Sequence, residues 1–488
     1  MTNTLLKKLR RQLGADAVLL QAPPEYSGDK WFAKARPDAV VLPATTEDVS
    51  FVLREASRAG VPVTPRGAGY GYVGGCTPVR SGLVLAMDRM NRILEIHPAD
   101  FVAVVQPNVI TGVLQAAAKE KNLLYPPDPA SLKDCSIGGN IATNAGGPRC
   151  LKYGVTRSYV LGLEVVLADG SVVRCGGRTH KNKTGFDLVG LFTGSEGLLG
   201  IVTEATLRLV PLPPARATLS AGFASMKAAA AAIQAVFAAG FLPAAVEVAD
   251  KFTLDAARAY KPEAQFPPGN AQVILEVDGQ PASVRGEARS LEKILCEAGA
   301  LAVHKATTPD ACARLWGLRR VYSQSLKATG LKKLNEDIVV PRGRLVDLVS
   351  FAARLQKKSG FPIACFGHAG DGNIHTNIMV ADPENPGVQK ASRAVLDELF
   401  AQVLAWGGAI TGEHGVGLAK MPWWNQALTP ATRSLHTTIK SALDPKGTLN
   451  PGKFVASRPG ANNKRPARPG RTRGAAPQAP AMMPGKNQ

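Results

Sequence analysis

The sequence has no C-x-x-C cysteine pair, no pattern typical of a secretory signal and no apolar run long enough to cross a membrane. Its seven cysteines are widely spaced over 488 residues and form no C-x-x-C pair, which disfavours the usual structural zinc and iron–sulfur sites. We therefore expect free thiols in a reducing compartment. No window approaches the roughly 20 consecutive apolar residues of a transmembrane helix. The N-terminal segment mixes leucines with Lys7, Lys8, Arg10 and Arg11, which predicts an amphipathic helix in a cytoplasmic protein rather than a signal peptide.

The remaining composition is that of a globular protein. With 45% hydrophobic and 20% charged residues, the chain is neither disordered nor a coiled coil, and it can bury a core. At roughly 150 residues per domain, the length allows two or three domains. Three prolines follow Leu209 at the end of a β-rich run. We therefore expect one domain over residues 1–213, a second over 214–454 and a tail over 455–488.

The net charge of +20 has two sources. The tail holds seven basic residues and no acidic one, and its Pro, Gly and Ala content predicts disorder. Removing these seven charges leaves +13 on the rest of the chain. An anionic cofactor or substrate, a charged membrane surface and nucleic acid would each fit such a charge. Because the tail has no aromatic residue to stack on bases, we predict no specific nucleic-acid site.

Glycine loops dominate the first half of the chain. The densest runs from Pro65 to Gly75, with the sequence P-R-G-A-G-Y-G-Y-V-G-G. Glycine lets a backbone approach a ligand closely, and successive N–H groups in such loops bind anions such as a diphosphate. A nicotinamide-type dinucleotide fold would place this loop directly before a helix, whereas an extended run follows here. Further glycine loops at 126–147, 152–154 and 194–203 suggest one large ligand contacted along its length.

These loops resemble the FAD-binding domain of the vanillyl-alcohol oxidase and p-cresol methylhydroxylase (PCMH) superfamily. The shared motifs are P-R-G-x-G-x-G-x-x-G-G, then P-P-D-P, x-I-G-G-N, N-A-G-G and K-Y-G, and finally G-S-E-G-x-L-G-I-V-T, in that order over Pro65–Thr203. Within the superfamily, the chain is most similar to the branch of D-lactate dehydrogenase, the glycolate oxidase flavin subunit and D-2-hydroxyglutarate dehydrogenase. The resemblance implies an α+β protein. It would combine a two-part FAD-binding domain of PCMH type with an α+β cap domain that contains an antiparallel sheet.

The resemblance also implies which residues hold the FAD, without a covalent bond to it. The chain departs from the branch at Tyr70 and Tyr72, where a small hydroxyl residue and an aliphatic residue are usual. The implied cofactor contacts are Pro65, Arg66, Gly67, Ala68, Gly69, Tyr70 and Gly71 at the pyrophosphate, Asp128, Ser131, Gly138, Gly139, Asn144 and Gly146 at the pyrophosphate and the flavin ring, Glu196, Gly200 and Val202 on the adenosine side, and Asn450 from the C-terminal part.

The second half of the chain carries two short histidine motifs framed by glycine. They are G-H-A-G-D-G-N-I-H-T-N and G-E-H-G, and together they hold three of the seven histidines. Two imidazoles and a carboxylate can bind a divalent cation with open positions. On a strand, His375 and Asn377 would share one face. Glu413 and His414 are adjacent and therefore point in different directions, so that one can bind a metal while the other faces a substrate.

The same branch contains both histidine motifs. The resemblance implies a divalent metal, Zn²⁺ first with Mn²⁺ or Fe²⁺ as alternatives, and an arginine whose fork receives the substrate carboxylate. Some members place a lysine near the position of Asn335, and its absence here favours a monocarboxylate substrate. The implied site residues are the metal ligands His368, His375 and Glu413, the general base His414, and the substrate contacts Arg319, Asn377 and His414.

The resemblance predicts FAD-dependent oxidation of a D-2-hydroxy acid, D-lactate or glycolate, to the 2-oxo acid. The metal would polarise the hydroxyl, His414 would take its proton, and a hydride would pass to the flavin. The sequence has no haem motif, so we expect an external acceptor: a quinone, a cytochrome or an iron–sulfur partner subunit. Two alternatives stay open, D-2-hydroxyglutarate dehydrogenase and a non-redox synthase of the alkyl-glycerone-phosphate synthase type. A homodimer and a peripheral contact with the inner face of the membrane are further expectations.

Overall fold

The computed structural model describes residues 3–457, so that most of the predicted tail, 458–488, lies outside the described part. Among residues 3–457, no helix combines the length and the apolar character that a bilayer crossing requires. The helices are α1 (Asn3–Leu13), α2 (Thr46–Ala59), α3 (Thr111–Glu120), α4 (Ile137–Thr143), α5 (Cys150–Tyr153), α6 (Leu188–Phe192), α7 (Met226–Ala238), α8 (Lys251–Tyr260), α9 (Pro281–Glu297), α10 (Pro309–Ala328), α11 (Leu345–Ser359), α12 (Pro386–Ala405), α13 (Met421–Ala427) and α14 (Pro430–Leu443). The strands are β1 (Val18–Leu19), β2 (Ala39–Val41), β3 (Val63–Arg66), β4 (Leu83–Ala86), β5 (Ile93–His97), β6 (Val102–Val105), β7 (Leu123–Leu124), β8 (Val160–Val166), β9 (Val172–Gly176), β10 (Ile201–Arg208), β11 (Val210–Pro211), β12 (Ala215–Phe223), β13 (Ala245–Ala249), β14 (Ala271–Gly279), β15 (Ala302–Ala306), β16 (Lys332–Val339), β17 (Ile363–His368) and β18 (Asn373–Val380).

The first half of the chain forms two main sheets, besides the two-stranded pair of β7 and β11. One has the order β1-β2-β4-β3, with β2 and β3 parallel to β4, and the other has the order β5-β6-β10-β8-β9 with antiparallel neighbours. Helix α2 connects β2 to β3. It begins with a capping box between Thr45 and Asp48 and ends at Gly60, whose φ of 66° is left-handed. Strand β3 follows this helix and ends at Arg66, inside the glycine-rich stretch from Pro65 to Gly75.

The second half is built on one seven-stranded sheet. Its order is β15-β12-β14-β13-β17-β18-β16, and every neighbouring pair is antiparallel. Helices α7, α9, α11 and α12 bury their apolar faces against one side of the sheet, and α8 and α10 cover part of the other side. The predicted α+β class, with an antiparallel sheet in the cap, is confirmed.

Several contacts tie the halves together. Helix α5 of the first half reaches β14 of the cap, where the phenol of Tyr153 donates to Asp278 at 2.8 Å. The C-terminal part then returns to the first half, since Leu449 forms a parallel bridge to Val63. Lys440 fixes this return, because its buried ammonium donates to the carbonyls of Leu198 and Leu449 at 2.8 and 2.9 Å.

Candidate active site

A cavity of about 780 Å³ lies between the glycine loops of the first half and helix α10 of the cap. Its volume is within the range of small-molecule and cofactor sites. The structure brings fourteen of the predicted cofactor residues to its wall: Pro65, Arg66, Gly67, Ala68, Gly69, Tyr70, Gly71, Asp128, Ser131, Gly138, Gly139, Glu196, Gly200 and Val202.

Three predicted cofactor residues lie outside the lining of this cavity. Asn144 ends α4 with a left-handed φ of 51°, and its side-chain oxygen accepts from the backbone N–H of Arg157. Asn450, with φ of 44°, donates to the carbonyls of Gly75 and Glu196. Gly146 instead lines a smaller cavity of about 190 Å³ beside the second histidine motif. In the structure, the two asparagines position the loops.

The loop packing suits a bound diphosphate. A Cβ on Gly67 would lie 2.4 Å from Oγ of Ser136, and that oxygen already accepts from the N–H groups of Ala68 and Gly139. The backbone of Gly67 and Ala68 therefore lies directly against the Ser136 hydroxyl, with no room for a side chain at Gly67. Arg66 is buried at the cavity wall, and its Nε has no hydrogen-bond partner in the described part. A buried cation with a free donor fits an anionic guest, so these residues fit FAD.

The two histidine motifs meet at the edge of this cavity. His368 ends β17, His375 lies in β18, and Glu413 lies in the loop after α12. Nε2 of His368 is 3.7 Å from Oε2 of Glu413, and Nε2 of His375 is 3.6 Å from Oε1. One donor atom from each of the three lies within 4.8 Å of the others. This convergence is what a small cation requires.

Two atoms of this cluster are buried with no hydrogen-bond partner in the described part of the chain. They are Oε2 of Glu413 and Nδ1 of His375. Burial lowers the pKa of His375 to about 3, so its imidazole is neutral and keeps a lone pair for a metal. Burial opposes the charge on Glu413, but the contact with His368 and the charge of that imidazole hold the carboxyl pKa below its ordinary value.

Glu247 of β13 joins the histidine cluster to Arg319. It is 1% exposed, and its Oε1 lies 2.5 Å from Nδ1 of His368. Its Oε2 accepts from Nε of Arg319 on α10. Burial opposes the charge on this carboxyl, but both partners hold its pKa at about 2. Burial likewise opposes a charge on His368, yet Glu247 raises the pKa of that imidazole well above its ordinary value.

His414 follows Glu413 in the loop and lies at the cavity wall. Its Nδ1 is 3.7 Å from Oδ2 of the fully buried Asp337, and its Nε2 is 3.7 Å from Oε1 of Glu413. Glu413 faces both metal-motif histidines, and its carboxylate also approaches His414, so these adjacent side chains converge instead of pointing in different directions. Asn377 shares a face of β18 with His375 but is fully buried. It donates to the carbonyls of Ala364 and His375 and does not line the cavity.

Sequence reasoning missed several residues of this site. The main ones are Asp337 and Glu247, which face His414 and His368, and the others are Arg149 and Trp316, which line the cavity. The guanidinium of Arg149 spans the two halves, at 2.6 Å from Asp128 and 2.7 Å from Glu276. One sequence signal could have identified Glu247. It is a single acid inside the apolar strand sequence A-V-E-V-A, and a buried charge requires a partner.

Two family models match the chain. The model described as "FAD binding domain" matches residues 37–176, and the model described as "FAD linked oxidases, C-terminal domain" matches residues 212–454.

Curated proteins of similar length also match. The "Glycolate oxidase subunit GlcD" of Bacillus subtilis is 40% identical over 435 residues, which cover 89% of this chain and 91% of that protein. The "D-lactate dehydrogenase" of Anaerostipes hadrus is 33% identical over 87% of this chain and 90% of its own length. The "D-lactate dehydrogenase" of Archaeoglobus fulgidus is 35% identical over 85% of this chain and 91% of its own.

Solved structures share the fold at low sequence identity. p-Cresol methylhydroxylase with substrate bound superposes with a TM-score of 0.75 at 22% identity, covering 93% of this chain and 97% of the other. An alkyldihydroxyacetonephosphate synthase reaches a TM-score of 0.72 at 19% identity, covering 93% of this chain and 86% of the other. The PCMH-type fold inferred from the glycine motifs is thereby confirmed.

Proposed function

The chain belongs to the family of FAD-linked oxidases and is an FAD-dependent oxidoreductase, and we propose that it oxidises a small D-2-hydroxy acid to the 2-oxo acid. D-Lactate and glycolate are the proposed substrates. One observation carries the proposal: Arg319 and His414 line the same cavity as the glycine loops, beside the cluster of His368, His375 and Glu413. The named relatives, glycolate oxidase subunits and D-lactate dehydrogenases, support it.

His368, His375 and Glu413 would hold a divalent metal, Zn²⁺ first with Mn²⁺ or Fe²⁺ as alternatives. The neutral His375 and the unpaired oxygen of Glu413 fit such an ion. Glu247 would fix His368 by accepting from Nδ1–H, which turns Nε2 towards Glu413. When bound, the cation would polarise the substrate hydroxyl as a Lewis acid.

Arg319 would bind the substrate carboxylate. Its Nε is occupied by Glu247, so both terminal nitrogens remain for the two parallel hydrogen bonds that a carboxylate accepts. Glu247 thus holds the guanidinium in one orientation at the cavity wall. The same carboxylate also contacts His368. One buried residue, Glu247, would therefore position both the substrate-binding arginine and a metal ligand.

His414 would remove the hydroxyl proton. Its Nδ1 faces Asp337, so Nε2, on the side of Glu413, is the nitrogen that remains for the substrate.

Bound FAD would accept the hydride that leaves C2. The reduced cofactor requires an external acceptor, and the word "subunit" in the names of the glycolate oxidase relatives agrees with a partner protein in that role.

D-2-Hydroxyglutarate is a second candidate substrate. The ammonium of Lys333 donates to Ser323 of α10 at 2.7 Å. Burial lowers the pKa of Lys333 to about 8, with Lys327 and Arg319 adding to this effect. A second substrate carboxylate would reduce the electrostatic repulsion among these three cations. The side chain of Asn335, the position where some relatives carry lysine, lies outside what the structure describes.

Anaerobic reduction of the purified, FAD-loaded protein tests the proposal. D-Lactate, glycolate and D-2-hydroxyglutarate are added separately, with L-lactate as the control for stereochemistry, and flavin absorbance is followed. We expect D-lactate or glycolate to bleach the flavin and L-lactate to fail. Bleaching by D-2-hydroxyglutarate alone would select the second candidate. A protein that binds FAD but is reduced by none of these acids would contradict hydroxy acid oxidation.

A further inference from the structure

Tyr72 contacts the proposed general base. The centroids of the Tyr72 and His414 rings are 5.5 Å apart, with the ring planes tilted by 34°. Tyr72 lines the same cavity as His414 and Arg319. With 40% of its surface exposed, it stands at the rim of that cavity. Its ring is therefore a wall of the space next to the reacting hydroxyl.

The backbone holds Tyr72 beside His414. The carbonyl of Val73 accepts from the N–H groups of Leu418 and Ala419, at 2.7 and 3.1 Å. Gly417 has a left-handed φ of 47°, and a Cβ there would lie 2.4 Å from that carbonyl. The glycine loop and the loop of His414 are thus joined directly after Tyr72. The backbone that carries the aromatic wall cannot move away from the base without breaking this contact.

The opposite side of the glycine loop is also anchored. The carbonyl of Gly71 accepts from the backbone N–H of Lys30 at 2.9 Å, and the carboxylate of Asp29 accepts from the backbone N–H of Gly75 at 3.1 Å. A Cβ on Gly71 would lie 2.8 Å from that carboxylate. Tyr72 therefore extends from a loop that is fixed on both sides.

The chemistry of a 2-hydroxy acid leaves one substituent to place. Of the four groups on C2, the hydrogen must face the flavin, the hydroxyl must face His414, and the carboxylate must face Arg319. The fourth group is the one that distinguishes glycolate, D-lactate and longer acids. It must occupy the space that the remaining walls leave, and the ring of Tyr72 forms the part of the wall that contacts the base.

We propose that Tyr72 determines substrate size by limiting the space for the fourth substituent on C2. The proposal rests on the proposed function of the site and adds a selectivity to it. The hydrogen of glycolate or the methyl group of D-lactate fits beside the ring, whereas a longer or branched chain meets it. A misfit of one or a few carbon atoms in such a pocket changes kcat/KM by roughly 10- to 200-fold.

The test compares wild type, Tyr72→Val and Tyr72→Phe on an acid series. Glycolate, D-lactate, D-2-hydroxybutyrate and D-2-hydroxyisocaproate are assayed with an artificial acceptor, and kcat/KM is related to flavin content. We expect wild type to favour the two short acids. Tyr72→Val should raise the ratio of kcat/KM for D-2-hydroxyisocaproate to that for D-lactate by at least about tenfold. Tyr72→Phe keeps the ring and should keep the wild-type ratio.

Each contrary result has its own meaning. An unchanged ratio in Tyr72→Val with retained flavin, or equal use of all four acids by wild type, would overturn the role of Tyr72 alone. Failure of every acid with FAD-loaded wild type would remove the proposed function and this inference with it. If Tyr72→Val loses its flavin, Tyr72→Leu applies the same criterion with a smaller change in volume.

Discussion

The carboxylate of Asp337 binds the backbone of His414 and faces its imidazole. Oδ2 of Asp337 accepts from the backbone N–H of His414 at 3.0 Å and lies 3.7 Å from Nδ1 of its imidazole. The same oxygen accepts from the N–H groups of Gly412 and Glu413, at 2.9 and 2.8 Å. Burial opposes the charge, but the nearby histidines and these donors hold the pKa of Asp337 far below its ordinary value. One buried anion thus orients the proposed base and the proposed metal ligand together.

Asp337→Asn should lower kcat by roughly 10- to 100-fold, the usual cost of losing a residue that orients metal-site ligands. The amide keeps the shape of the side chain but removes the charge that orients His414. Steady-state kinetics and flavin content measure the effect. Asp250→Asn is the matched control, because the Asp250 carboxylate also accepts from backbone N–H groups, those of Thr253 in α8 and Cys365 in β17. Equal losses of kcat in the two variants would reduce Asp337 to a structural role.

Glu247→Gln should weaken metal binding and raise KM for the hydroxy acid together. The neutral amide no longer pairs with Arg319 and no longer fixes the tautomer of His368. We expect a loss of metal affinity of roughly 10- to 100-fold. Titration with a metal chelator and substrate kinetics measure the two effects. A rise in KM with unchanged metal affinity would show that Glu247 serves Arg319 alone.

Gly67→Ala should impair FAD binding, since its new methyl group would lie 2.4 Å from Oγ of Ser136. That contact forces the two glycine loops apart at the expected diphosphate site. Gly75→Ala is the control on the same loop, because its Cβ would meet nothing nearer than 4.0 Å. Titration of the apoprotein with FAD compares the two. Similar FAD affinities would argue that the loop contact is unimportant for the cofactor.

Arg149→Met should destabilise the fold by about 3–5 kcal/mol, because it leaves Asp128 and Glu276 buried without their shared partner. Arg174→Met is the surface control. Arg174 also contacts two carboxylates, those of Glu164 and Glu204, but it is 69% exposed. Its loss should cost at most about 1 kcal/mol. Urea denaturation measures both, and equal changes would contradict a special role for the bridge between the halves.

The free energy of unfolding should decrease as pH rises from about 4.5 to about 7, in part through Glu196. Burial raises the carboxyl pKa of Glu196 from 4.5 to about 7, so the folded state holds this proton more tightly than the unfolded chain. This contribution to the free energy of unfolding is fully present below pH 4.5. It decreases by about 3 kcal/mol as the pH rises through 7. Glu196→Gln cannot ionise and should flatten this part of the profile. Thermal melts of apoprotein over pH 4.5–8 test it; parallel profiles of the two proteins would contradict the shift.

Local signals in the sequence suffice for the elements that lie next to them. Thr45 followed three residues later by Asp48 is a capping pattern and begins α2, and Asp169-Gly170 is a hairpin signal and lies between β8 and β9. Helix α10 was not predicted as an element, although it carries Arg319 and Trp316 along the cavity. Its polar and apolar residues alternate too irregularly to predict a buried face.

The motifs predicted which loops form the site, but they did not predict the role of every residue in those loops. Asn144 and Asn450 lie in cofactor motifs, but both adopt a positive φ, at 51° and 44°, which asparagine tolerates better than most residues. Their geometry explains their presence without a ligand contact. Glu247 and Asp337 lie far in sequence from the histidines that they hold, so only the pairing of β13 with β17 and of β16 with β18 reveals them.

The most direct test of the account is anaerobic reduction of FAD-loaded wild type and His414→Ala by D-lactate or glycolate, followed by flavin absorbance. We predict that wild type bleaches and that His414→Ala binds the same amount of FAD but does not bleach, since the hydroxyl proton then has no acceptor. A His414→Ala protein that is reduced at the wild-type rate would contradict His414 as the base. A wild type that no D-2-hydroxy acid reduces would contradict the proposed function itself.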